Sequence, residues 1–187
     1  MTSVARTWGT DAEERALAFP GDRGEDSRAE RSHAERSDST SLFRGVSIAA
    51  PAPLVFRWLC QLRVAPYSYD WIDNRGRQSP RTLTPGLEQL AVGQTVMGIF
   101  RLEAFEIPKS LTLVTPAGGR GEKLFGQIRC TYWVRPESAA RTRLLVKLRV
   151  GPARGTFTRI AKAALAWGDL VMMRRQLLNL KARAECS

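Results

Sequence analysis

Side chains able to bind a ligand or move a proton gather at few places in this chain of 187 residues. Tyr67, Tyr69 and Trp71 alternate along one short segment, with Asp70 and Asp73 set among them. Tyr132 sits in an apolar run, and Trp167, Asp169, Val171, Met172 and Met173 follow one another near the end. Aromatic and methionine side chains make adaptable apolar sites with a few polar handles. Tyr67, Tyr69, Trp71, Phe100, Tyr132, Trp167 and Val171 are therefore the candidate ligand-lining residues. The same side chains also fill ordinary cores. Desolvated, Asp70 or Asp73 would serve as a general base. Left in water, each would cap a turn or pair with an arginine. Asp169 has Arg174 or a strand arginine as its candidate partner. No motif assigns a catalytic residue.

Other chemistries lack their residues. The single histidine, His33, lies in a polar leader, so the remainder of the chain has no histidine triad or histidine metal site. Cys60, Cys130 and Cys186 are far apart and form no C-x-x-C pair, which indicates neither zinc nor a disulfide framework. Cys60 and Cys130 read as core residues. Gly118-Gly119-Arg120-Gly121 does not join a strand to a helix, so it is a turn and not a phosphate loop. Neither metal nor cofactor is expected. No apolar run reaches the roughly 18 residues of a membrane span, and the first residues lack a signal-peptide core. A cytoplasmic protein is expected.

The elements that position these side chains follow from periodicity. Residues 1–41 carry six arginines against nine acids and repeat AERS at 29–32 and 34–37; they are expected to be a disordered tail. Residues 42–187 carry 23 basic residues against nine acids and form the expected folded domain. Phe43 to Ala50 reads as a strand. Pro51 and Pro53 end it and suit the first turn of a helix running to about Leu62. A second helical turn ends near Asn74. Strands are expected over 94–107, 110–115, 123–134 and 142–150. In the last of these Leu144, Val146 and Leu148 face inward and Arg143, Lys147 and Arg149 outward, with Leu145 the one apolar exception. A helix from about Thr156 to Ala184 carries Ile160, Ala164, Trp167 and Val171 at helical spacing, and Leu170, Met173, Leu177 and Leu180 extend the stripe. The outer sheet face gathers Arg101, Arg129, Arg135, Arg143, Lys147 and Arg149 around Trp133. Such a face can meet single-stranded nucleic acid, an anionic membrane or an acidic partner. The plainer reading is a solvated surface whose charges block edge pairing.

From about Phe43 to Glu185 the order of elements resembles the START-like, or SRPBCC, superfamily, which includes polyketide cyclase-like and birch-pollen-allergen-like proteins. The segments that carry the resemblance are SIAAPAPLVFRWLCQL, LEQLAVGQTV, TRLLVKLRV and WGDLVMMRRQLLNLK. The resemblance implies an α+β helix-grip fold, with a curved antiparallel sheet wrapped around the C-terminal helix and an apolar cavity between them. It places Tyr67, Tyr69 and Trp71 near the cavity mouth. It implies no single activity, because one fold hosts many. The first expectation is binding of a hydrophobic small molecule of lipid, polyketide or isoprenoid type. The alternatives are a polyketide cyclase or dehydratase using Tyr132 or an Asp, and an interaction module using the basic sheet face.

Overall fold

Apolar–polar alternation in the strand segments produces a sheet with one face turned to a helix. The computed structural model describes residues 4–22, 40–74, 76–119, 122, 126–151 and 158–187. Strands β1 (Thr40–Ile48), β2 (Thr95–Val96), β3 (Phe100–Glu106), β4 (Ser110–Val114), β5 (Ile128–Ser138) and β6 (Arg141–Val150) form one antiparallel sheet in the order β1-β6-β5-β4-β3-β2. Before β1 lie the short helices α1 (Val4–Thr7) and α2 (Ala12–Ala16) and a 3-10 turn at Pro20–Asp22. Helix α3 (Ala52–Cys60) starts at Pro51, as the two prolines require, and α4 is a single turn at Asp70–Asp73. The chain ends in α5 (Thr158–Glu185), which packs against β1 and α3. This is the expected α+β helix-grip arrangement. The strand starts expected at Lys123 and the helix start at Thr156 lie outside the described residues.

Register places Arg44, Val146, Tyr132 and Leu111 side by side across four strands on the inner face. Leu42, Ile48, Leu113, Val134, Leu144 and Leu148 surround that row, and all are buried. Helix α5 meets them with Ala166, Leu170, Met173, Leu177, Leu180 and Ala184. These recur at three- and four-residue steps and so lie on one stripe of the helix. Removing this much apolar surface from water is the main force holding helix to sheet.

Two local expectations change. The strand expected over 94–107 is a hairpin: Met97 and Gly98 both take positive φ (50° and 72°) and turn the chain between β2 and β3. The second change concerns the leader. Residues 4–22, expected within a disordered tail, are folded against the sheet; residues 23–39 lie outside the described residues. Asp11 opens α2 with a reciprocal capping box, its carboxylate accepting from the Glu14 N–H and the Glu14 carboxylate accepting from its own. The Gly45 N–H on edge strand β1 donates to the Trp8 carbonyl at 3.1 Å. Gly9, at φ 74°, lies so close above that strand that a Cβ there would strike the Gly45 carbonyl.

Beyond this point the leader crosses the outer face. Phe19 is 1% exposed, with ring centroids 5.3 Å from Trp133 and 5.9 Å from Phe43. Glu14 pairs with Arg143 at 2.7 Å, and Asp22 accepts from the Lys147 ammonium with both oxygens at 2.9 Å. The Lys147 ammonium also stands over the Phe19 and Phe43 rings. Leu145, the outward exception, is buried and adjoins Trp133 across the ladder. The acidic leader thus neutralises part of the basic sheet face and covers its aromatic centre. Among the other charges expected there, Arg129 pairs with Glu103 at 2.8 Å. No helix among the described residues is long and apolar enough to cross a membrane.

Candidate functional site

The candidate site is a cleft where the chain leaves α3 and runs past the outward flank of α5. Its wall begins at Pro66 to Ser68. Gln176 on α5 donates through Nε2 to the Pro66 carbonyl at 2.6 Å, and Asn179 donates through Nδ2 to the Tyr67 carbonyl at 2.8 Å. The Ser68 hydroxyl donates to the Met172 carbonyl at 3.1 Å. These three bonds hold Tyr67 in the left-handed region, at φ 55°. A non-glycine residue there costs on the order of 1–3 kcal/mol and persists only where its surroundings over-determine it. The Tyr67 ring meets Trp58 edge-on at 6.0 Å, and its buried hydroxyl has no hydrogen-bond partner. Burial pushes that phenol up to about 12.

Below this wall the cleft opens to a volume near 380 Å³, lined by Tyr67, Tyr69, Trp71, Arg81, Arg175 and Arg183 together with Ser68, Asp70, Gln78, Ser79 and Asn179. Asp70 ties the far lip in place: Ser79 donates to its carboxylate from the backbone N–H at 2.8 Å and from the hydroxyl at 2.5 Å. Asp70 therefore tethers the loop at Ser79 to α4, with both carboxylate oxygens accepting hydrogen bonds. The side chain of Asp73 lies outside the described residues. Trp71 is 76% exposed at the rim, and the Arg175 guanidinium stands 6.0 Å from the Tyr69 ring centroid.

The structure brings three of the seven expected lining residues together here and separates the other four. Tyr132 is 0% exposed, so no water-sized space touches it. Its hydroxyl donates to Gln176 Oε1 at 2.7 Å, and burial pushes its pKa well above 10. The phenol is a structural bridge from sheet to helix, closed to any substrate. Phe100 is half-buried and packs on the main core. Trp167 and Val171 are 55% and 50% exposed, and their expected place in a cavity under the helix is corrected. They sit about 100° and 140° around the helix from the Ala166 stripe, at 100° per residue. The stripe running from Ala166 to Ala184 took the inner side, leaving them outside.

A second polar feature lies under the helix, where the partner of Asp169 is a strand arginine, one of the two alternatives the sequence offered, though the sequence did not single out Arg44. Arg44 is fully buried and pairs with Asp169 of α5 at 2.6 Å. The guanidinium also donates to the carbonyls of Phe43, Ala5 and Ala166. Burial pushes the Asp169 carboxyl up to about 6, the Arg44 charge offsetting part of that rise. Cys130 on β5 has its thiol raised by the same burial. A signal was present: Arg44 is in phase with Leu42, Val46 and Ile48, so alternation alone puts it inward. Among the described residues, no three acidic, histidine or cysteine side chains are grouped to hold a metal.

No family model matches this sequence, and no curated protein matches it. Its backbone is similar to several solved structures. A protein from Thermobifida fusca has a TM-score of 0.51 at 15% identity, over 77% of this chain and 92% of that one. The di-domain ARO/CYC BexL from the BE-7585A biosynthetic pathway has 0.50 at 15% identity, over 78% of this chain and 46% of BexL. The fold is the α+β helix grip. A START superfamily protein from Mycobacterium smegmatis is similar at a TM-score of 0.48 and 15% identity, over 78% of this chain and 97% of that one. At such identities the likeness is one of fold. The cleft lies beside the C-terminal half of the long helix, and the leader is wrapped on the opposite face of the sheet.

Proposed function

We propose that this START-like protein binds a small organic molecule in the cleft between residues 66–81 and the outward flank of α5. The observation that carries the reading is the left-handed Tyr67, fixed by Gln176 and Asn179 beside a cleft with an aromatic rim. Strained backbone of this kind concentrates at ligand clamps. A volume near 380 Å³ falls within the range of about 300–1,000 Å³ typical of ligand sites. Tyr69 and Trp71 offer the faces on which an apolar or aromatic body would rest. The lipid, polyketide and isoprenoid classes expected from sequence narrow to compact molecules, because two acyl chains exceed this volume. The cyclase reading draws no support from Tyr132 or Asp70, since both have their polar atoms occupied.

A thermal-shift screen of compact aromatic and terpenoid compounds tests the proposal. A ligand present at 100 times its dissociation constant adds about 2.7 kcal/mol, which is roughly 5–11 °C for a domain of this size. Trp71→Ala alters an exposed side chain and should leave the ligand-free midpoint in place while abolishing most of the ligand shift. Compounds that stabilise the variant as strongly as the native protein would place binding elsewhere.

A further inference from the structure

Charge in the cleft narrows the ligand further. Arg175, Asn179 and Arg183 stand at successive four-residue steps on α5 and so share one face. Arg81 comes from the opposite lip. Among the described residues none of these three arginines has a carboxylate partner, whereas Arg44, Arg57, Arg129, Arg141 and Arg143 are each paired. Among the described residues that line the cleft the one acid, Asp70, is already bonded by Ser79. The Arg175 guanidinium stands over the Tyr69 ring, 6.0 Å from its centroid, so charge and aromatic wall adjoin in the cleft. A buried phenol without a partner, Tyr67, completes the lining.

We infer that the cleft takes a compact organic acid, with its ring or apolar body on Tyr69 and Trp71 and its anionic head between Arg175 and Arg183. This rests on the cleft being the ligand site. Guanidinium forks bind carboxylate, sulfonate and phosphate oxygens in paired, charge-assisted hydrogen bonds, which are about twice as strong as neutral ones. Three uncompensated guanidiniums around one cleft also concentrate anions before contact.

A matched pair of fluorescent probes tests the inference: 1-anilinonaphthalene-8-sulfonate and N-phenyl-1-naphthylamine, which share the ring system and differ in the sulfonate. The full chain should bind the sulfonate at least tenfold more tightly at low salt. Arg175→Gln with Arg183→Gln should remove that advantage and leave the neutral probe unchanged. Arg175→Lys with Arg183→Lys, which keeps the charge and loses the fork, should retain part of it. Added sodium chloride should weaken the sulfonate alone, and 1-naphthoic acid should displace it where 1-naphthalenemethanol does not. Trp71→Ala should weaken both probes. Equal affinity for the two probes, with both weakened by Trp71→Ala, would overturn the organic-acid inference and leave the cleft as a binding site. Binding of both probes untouched by Trp71→Ala would overturn the cleft reading and the inference with it.

Discussion

Arg44→Leu should destabilise the fold by about 3–5 kcal/mol at neutral pH, the range for breaking a buried ion pair from one side. The variant leaves the Asp169 carboxyl under the helix without its cation, and removes the donor to the Ala5 and Ala166 carbonyls. The pH dependence identifies the cause. Asp169 titrates near 6 in the folded protein, against an ordinary 3.8. The folded state therefore holds this proton more tightly than the unfolded chain. The contribution is fully present below pH 3.8 and is lost as pH rises to about 6, above which the native profile should be flat. In Arg44→Leu the carboxyl rises further, so the loss should continue above pH 6. Urea unfolding at pH 5 and pH 8 would show the variant gaining on the native protein at the lower value. Arg44→Leu with Asp169→Leu should recover most of the stability and abolish the slope, since apolar side chains often replace a buried pair without loss. A double variant as unstable as the single one would contradict a coupled buried pair.

Removing residues 1–22 should lower the unfolding midpoint substantially. Phe19 is buried between Phe43 and Trp133, and its loss alone is worth about 3 kcal/mol by analogy with other buried phenylalanines. At about 2–4 °C per kcal/mol for a domain of this length, that is roughly 6–12 °C. The Glu14–Arg143 and Asp22–Lys147 pairs add about 1 kcal/mol each at most. The truncated protein should also bind 1-anilinonaphthalene-8-sulfonate on the uncovered face, even when it carries Trp71→Ala. A midpoint unchanged by truncation would mean that the leader does not pack, and would return the basic sheet face to the list of binding surfaces.

The sequence made some of this legible. Alternation at Leu144, Val146 and Leu148 placed the inner sheet face correctly, because a strand's period of two leaves no second choice once one face is apolar. Leu145 and the acidic leader were two halves of one signal: an apolar residue on a basic face needs a cover, and Glu14, Phe19 and Asp22 provide it. Composition concealed this, since charged and small residues dominate the leader and hide one buried phenylalanine. On helix α5 the sequence reading joined Trp167 and Val171 to Leu170, Met173, Leu177 and Leu180 in one stripe, although they lie about 100° and 140° around the helix from Ala166. Length decided otherwise, because the stripe from Ala166 to Ala184 extends over the whole gripping surface. In the cleft, Tyr67, Tyr69 and Trp71 were visible as a cluster. Arg81, Arg175 and Arg183 were not, because the fold alone brings a loop arginine to two helix arginines. The left-handed Tyr67 has no local sequence signature; it is imposed by Gln176 and Asn179 more than a hundred residues away.

Backbone amide shift mapping locates the bound ligand on the chain. The full chain would be titrated with 1-anilinonaphthalene-8-sulfonate in low salt and followed by two-dimensional nitrogen–proton spectra. Saturable shifts are expected, confined to residues 67–71, 78–81 and 175–183, with the Trp71 indole among the largest. Shifts centred on Tyr132, Val146 and Leu144, with those cleft residues unmoved, would contradict binding in the cleft and restore a cavity beneath the helix as the ligand site.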